Sequence, residues 1–208
     1  MKKITNLIII DASGSMTSKA EEIRGGLKLI FKEIKEDAAL GEAKMRTIVT
    51  QFSSPGHFKE LVNSKKAEKL TDQLADAYQP MGMTALFDAI GQGFALVPKE
   101  QDAVLVTIMT DGQENSSREY DQQSITKLIS AKRKDGWTIA FMGTTETAIK
   151  QAQSWGVTQG NSITINNNAE GFRVAGRTLS KMRKSHYEAS MGRYRGRMDD
   201  LAKDNEED

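Results

Sequence analysis

Asp11-Ala12-Ser13-Gly14-Ser15 places a carboxylate and two hydroxyls at alternate positions of one short segment. Gly14 between the hydroxyls lets the backbone turn tightly without a side-chain penalty. Further oxygen donors stand far along the chain, Thr84 in Gly82-Met83-Thr84 and Asp111 in Thr110-Asp111-Gly112. Few charges and several neutral oxygens suit a hard cation that keeps some of its waters. This describes Mg²⁺ better than Zn²⁺, with Mn²⁺ or Ca²⁺ as the other candidates. A cation held mainly by neutral ligands stays electrophilic and accepts a further carboxylate from outside. Taken singly, each segment has an ordinary reading. Asp-x-Ser-x-Ser forms solvated turns, Thr84 can cap a helix, and Asp-Gly is a common turn. The chemistry depends on whether the fold brings them together.

The elements that would do so alternate along the chain. Ile4 to Ile10, Met45 to Phe52 and Ala103 to Met109 are apolar, β-branched runs expected to be strands. Trp137 to Met142 and Ser162 to Ile165 continue the series, and His57 to Val62 reads as a short edge strand. Between them, Ile23, Leu27, Ile30, Phe31 and Ile34 fall on one stripe of a helix over 17–38. Gly25 and Gly26 weaken that helix, which implies close packing there. One or two helical turns are expected over 65–78, and helices over 84–96, 121–134, 146–155 and from Ala169 onward. Such alternation predicts an α/β fold: a doubly wound, mainly parallel sheet flanked by helices, with one antiparallel edge strand. In strand order 3-2-1-4-5-6, the strands ending at Asp11 and Thr110 are neighbours at the switch point. Their terminal loops then face one crevice outside the carboxyl ends.

With that order and spacing, the three segments resemble the metal-ion-dependent adhesion site of von Willebrand factor type A domains. Ile8-Ile9-Ile10-Asp11, Thr84-Ala-Leu-Phe-Asp88-Ala-Ile90 and Thr107-Ile-Met-Thr110-Asp111-Gly112 resemble the framework of that family over about residues 4–165, or 4–187 with the final helix. The resemblance implies a Rossmann-like sheet and a divalent cation held by Asp11, Ser13, Ser15 and Thr84 directly or through water, with Asp111 acting through water. It also implies a partner protein whose Asp or Glu completes the metal's shell. Among relatives, the chain looks like the compact intracellular bacterial or phage type, including those found near tellurite-resistance proteins.

Composition narrows the alternatives. The 208 residues, 38% of them hydrophobic, suffice for a substantial core. The 29 basic and 28 acidic residues nearly balance, so charge gives no reason to expect nucleic acid or an anionic membrane as partner. With no cysteine and two histidines, thiolate chemistry is excluded and a histidine-rich zinc site is not expected. Lys2 and Lys3 precede an apolar run too short for a signal peptide, and no stretch reaches the ~20 apolar residues of a membrane span. The expected location is cytoplasmic, which leaves the acceptor sequence Asn115-Ser116-Ser117 without glycosylation.

Enzyme readings fare less well. A haloacid dehalogenase-type phosphatase needs a second Asp at position 13, where Ser13 stands. There is no P-loop, Gly91-Gln92-Gly93 lacks the third glycine of a dinucleotide fingerprint, and Ser15 has no histidine base. Binding is therefore favoured over catalysis. A Mg²⁺-dependent phosphohydrolase on the same fold is the alternative.

Outside the oxygen donors, Met16 and Met83 adjoin the metal loops and, with Glu114, are expected to line the partner surface, while the other methionines fill the core. Asp88 either supports the site or is a surface carboxylate, and Asn115 borders the crevice or is a solvated loop residue. His57 and His186 read as surface histidines. Residues 1–187 form the expected domain. Residues 188–208 form a charged tail, in which Arg193, Arg195 and Arg197 continue the basic run of Lys181, Arg183 and Lys184 before an acidic end; the stretch reads as a solvated helix and a frayed tail.

Overall fold

The computed structural model describes residues 1–39, 44–111, 114–166, 169–193, 196 and 198–201. Gly112, Arg195, Arg197 and the acidic end 204–208, singled out above, lie outside them.

Six strands form one sheet: β1 (Lys3–Asp11), β2 (Lys44–Phe52), β3 (Phe58–Ser64), β4 (Ala103–Thr110), β5 (Thr138–Gly143) and β6 (Ser162–Thr164). Their spatial order is β3-β2-β1-β4-β5-β6. All pairings are parallel except β2 with β3, which is antiparallel and carries a register shift between Val49 and Thr50. The mainly parallel sheet and its antiparallel edge agree with the alternation seen in the sequence. β1 lies at the centre, with Asp11 opposite Phe52 on one side and Ile10 opposite Met109 on the other.

The period of two along β1 divides the core. Ile8 and Ile10 point to one face, where α1 (Ala20–Ala39) and α6 (Ala169–Ser190) cover them with Ile23, Leu27, Ile30, Leu179 and Met182. Leu7 and Ile9 point to the other face, under α3 (Leu86–Ala95), α4 (Gln122–Lys134) and α5 (Glu146–Ser154). There Leu86, Ile90, Ile125, Ile129 and Trp155 close the second layer. The remaining helix, α2 (Asp72–Asp76), is a short turn in the long connection from β3 to α3. α4 starts on a capping box, with the Asp121 carboxylate accepting from the Ser124 N–H and the Ser124 hydroxyl oxygen accepting from the Asp121 N–H.

Several expectations are corrected. The helix expected from residue 17 begins at Ala20, because Gly14–Lys19 forms a 3-10 turn that continues the site loop. Gly25 is not a packing position: a methyl group added there would meet nothing within 4 Å. Gly93, by contrast, lets α3 approach β1, since a Cβ there would come 2.8 Å from Ile9 Cδ1. His186 is not a surface residue. It sits on α6 with 1% of its surface exposed, and burial lowers its pKa to about 4. Arg183, expected on a solvated face, is buried as well. The boundary at 187 falls inside α6, and residues 198–201 fold back on the domain rather than fraying. There the Asn161 amide donates to the Met198 carbonyl at 2.8 Å and its Oδ1 accepts from the Leu201 N–H at 2.9 Å.

Candidate metal centre

β1 delivers Asp11 to the carboxyl edge of the sheet, fully buried. Its Oδ1 accepts the Ser13 N–H at 2.7 Å, and its Oδ2 accepts the Thr110 hydroxyl at 2.5 Å. The Ser13 and Ser15 hydroxyl oxygens lie 3.1 Å apart, and Ser15 donates to Asp111 Oδ1 at 2.7 Å. Because Ser15 gives its one hydrogen to Asp111, Ser13 is the donor within the serine pair. Ser13 therefore joins the Asp11 carboxylate, through its N–H, to the hydroxyl chain that runs by Ser15 to Asp111, between the ends of β1 and β4.

Backbone bonds bring in the third loop. The Met81 N–H donates to the Ala12 carbonyl at 2.7 Å, and the Gly14 N–H donates to the Gly82 carbonyl at 2.9 Å. Gly82 has φ +75°, which favours glycine, and a Cβ on Gly14 would come 3.2 Å from the Gly82 oxygen. Thr84, 3% exposed, follows in this loop. It is not the cap of α3: that position is Ala85, and the first-turn N–H groups of Phe87 and Asp88 are met instead by the side chains of Glu114 and Ser117. The Thr84 main chain is instead clasped by Asn115, whose Oδ1 accepts from the Thr84 N–H at 2.9 Å and whose N–H donates back at 3.1 Å.

Burial governs the electrostatics. It pushes Asp11 up to about 6, against the hydrogen bonds from Thr110 and Ser13 that favour the charged form, and the nearby Asp111 charge adds to the rise. Asp111 carries its own partner, because its Oδ2 accepts from the Lys19 ammonium. Behind the loop, the Tyr78 hydroxyl donates to the Asp11 carbonyl, while Arg24 donates to the Tyr78 carbonyl at 2.7 and 3.2 Å. Burial, reinforced by the charges of Asp11 and Asp111, holds the Tyr78 phenol well above its ordinary range, so it acts as a hydrogen donor.

These residues fit a divalent cation of the Mg²⁺ type. A buried carboxylate with a raised pKa is a position where a cation restores the charged form, and hydroxyl oxygens stand beside it. Among the described residues no three His, Cys, Asp or Glu side chains are grouped so as to hold a metal ion by themselves, so hydroxyls and water would complete the shell here. Asp11, Ser13, Ser15 and Thr84 would hold the ion, with Asp111 orienting Ser15.

The surface residues divide differently from the expectation. Met83 is 53% exposed on the rim, joined by Met81 at 58%. Met16 is 1% exposed and packs into the core beneath the loop, so it does not line a partner surface. Glu114 turns inward: its carboxylate accepts from the N–H groups of Phe87, Ser116 and Ser117 and from the Ser117 hydroxyl. It shapes the loop instead of meeting a partner. Asp88 is a buried support, accepting from the N–H groups of Arg118, Glu119 and Tyr120 at 2.8–2.9 Å. Sequence reasoning missed Lys19, Tyr78 and Thr110 as parts of the site. A lysine closing a loop otherwise made of small polar residues, and one tyrosine ending a charged stretch, were the available signals.

Comparisons with known proteins bear on the family and the fold. A family model described as von Willebrand factor type A domain matches residues 7–194. No curated protein matches the sequence. Among solved structures, the pilus adhesin SpaC from Lactobacillus rhamnosus GG is similar with a TM-score of 0.71 and 16% identity, over 87% of this chain and 30% of the adhesin. The chain thus spans less than a third of that protein. The vWF domain of the type V pili tip protein Mfa5 from Porphyromonas gingivalis is similar with a TM-score of 0.65 and 10% identity, over 94% of this chain and 98% of that domain. Proximal thread matrix protein 1 from the mussel byssus gives 0.62 and 17% identity, over 88% and 46%. At these identities the likeness is one of fold.

Proposed function

Since the chain belongs to the von Willebrand factor type A domain family, we propose that it is a protein-binding module. It holds one divalent cation, Mg²⁺ in the first instance, on Asp11, Ser13, Ser15 and Thr84 with Asp111 behind them. Through that cation it binds an Asp or Glu side chain of a partner protein. The observation that carries this reading is the string of polar groups from Asp11 to Asp111 at the switch point of the sheet, with the exposed methionines Met81 and Met83 on the loop bonded to Ala12 and Gly14. An acidic residue next to an apolar one is the matching feature on a partner. The resemblance to the compact intracellular bacterial or phage type is what supports placing this activity in the cytoplasm.

Binding is favoured over hydrolysis by the state of the nearby carboxylates. Asp111, Glu114 and Asp88 are all engaged by donors of the chain itself, which leaves none of the three disengaged to act as a base.

Calorimetric titration of Mg²⁺ and Mn²⁺ into the metal-free protein tests the reading, followed by affinity capture in Mg²⁺ and in EDTA. About one ion should bind to the wild type and none to Asp11→Ala, and capture of a partner should follow the same pattern. A partner retained equally in EDTA and by Asp11→Ala would overturn the proposal.

A further inference from the structure

The site contains a cation of its own. Lys19 closes the 3-10 turn that starts at Gly14, and its Nζ donates to Asp111 Oδ2. The other oxygen of that carboxylate, Oδ1, takes the Ser15 hydroxyl hydrogen. Both partners are deep, with 11% of the lysine side chain and 4% of the aspartate side chain exposed. Lysine is almost never buried unless it is paired, and an ion pair at this depth is poorly screened by solvent.

The charge of the site follows from this pairing. Asp11 and Asp111 alone would place two negative charges beside a divalent ion and balance it. With Lys19 on Asp111, one of those charges is already taken up. The ion then keeps one positive charge that the chain does not compensate.

We infer that Lys19 is a tethered counter-cation that weakens the site's hold on metal alone and makes firm retention depend on a carboxylate brought from outside. The inference rests on the metal-binding reading above. Lys19 acts through Asp111 and Ser15, with no contact to the ion required. In this arrangement the partner's carboxylate does more than use a bound ion: it supplies the charge that Lys19 has withdrawn, so metal and partner bind cooperatively. Reciprocity is then required, since a ligand that strengthens metal binding is itself held more firmly when metal is present.

The test is a Mn²⁺ titration followed by the paramagnetic resonance signal of free Mn²⁺, with and without excess acetate as a simple carboxylate. Wild type, Lys19→Met, Lys19→Gln, Lys19→Arg and Asp11→Ala are compared. Removing one charge this close to the ion should tighten Mn²⁺ binding about tenfold or more in Lys19→Met. Lys19→Gln, which keeps a donor for Asp111 and guards against misfolding of the methionine variant, should behave the same way. Lys19→Arg should stay near wild type. Acetate should strengthen Mn²⁺ binding clearly in wild type and much less in the two neutral variants. Mn²⁺ should also raise the melting temperature more in the neutral variants, where it balances a buried Asp111 charge that has lost its lysine counter-charge. Equal or weaker Mn²⁺ affinity in both neutral variants, with Asp11→Ala silent, overturns the role of Lys19 and leaves the metal site standing. Absence of Mn²⁺ binding in every protein removes both readings.

Discussion

The Tyr78 hydroxyl donates to the main-chain carbonyl of Asp11 across 2.6 Å, tying the connection between β3 and α3 to the last residue of the central strand. Tyr78 is itself fully buried, and Arg24 on α1 grips its carbonyl. The position of Asp11 therefore depends on a contact 67 residues away in sequence as well as on its own strand.

Tyr78→Phe keeps the ring and removes this donor. We expect it to lower stability by about 1 kcal/mol, the usual net worth of such a bond, as read from urea unfolding. A change within error of zero would mean that the bond does not hold the loop.

Asp88 has a larger effect to lose. Its buried carboxylate satisfies three successive N–H groups, those of Arg118, Glu119 and Tyr120. Asp88→Ala should cost about 3 kcal/mol or more, because donors are left without partners. Amide hydrogen exchange should accelerate at 118–120 before it does in the β1 and β4 amides. Uniform acceleration throughout the chain would argue against a local role.

Two glycines should respond to alanine with opposite signs. At Gly25, on an open face of α1, Gly25→Ala should stabilise by about 0.5–1 kcal/mol through helix propensity. At Gly82, with φ +75°, the new methyl would collide with the Ser54 hydroxyl oxygen, and Gly82→Ala should destabilise by about 1–3 kcal/mol. Thermal unfolding of the two variants side by side checks both signs.

Acid should weaken the fold through His186. Burial holds its pKa at about 4 in the folded chain, against 6.5 as its ordinary value. The unfolded chain therefore binds a proton first as pH falls. Stability is full above about 6.5 and declines down to about 4, by on the order of 3 kcal/mol in all. His186→Leu should flatten this part of the stability profile measured by urea unfolding. A profile as steep as that of the wild type would assign the acid sensitivity to other groups.

The fold was legible because its signals are local and repeated. Runs such as Ile4 to Ile10 and stripes such as Ile23, Leu27 and Ile30 each state their own period, and their alternation implies the crossover connections. The positions of Asp11, Thr84 and Asp111 were legible for the same reason, each sitting at the end of a recognisable strand or before a helix. The missed residues have roles that exist only across long separations. Nothing around Lys19 predicts that Asp111, 92 residues later, will receive its ammonium. Nothing around Tyr78 points to the carbonyl of Asp11. Met16 and Glu114 show the converse: proximity to a motif said where they stand, and could not say which way their side chains turn. His186 looked exposed because it stands in a polar, charged stretch, yet on α6 it falls on the buried stripe of Leu179 and Met182.

The walls of the crevice are joined by peptide groups: Ala12 to Phe52, Met81 to Ala12, Gly14 to Gly82, and Ala85 to Ser53. Main-chain bonds of this kind are indifferent to the side chains carried above them. Met81 and Met83 can thus be exchanged for residues of other shape or charge while the oxygens of Asp11, Ser13 and Ser15 keep their places. On the proposed function, grip and choice are built from separate parts of the chain, and such a scaffold would turn toward a new ligand by rewriting its rim alone.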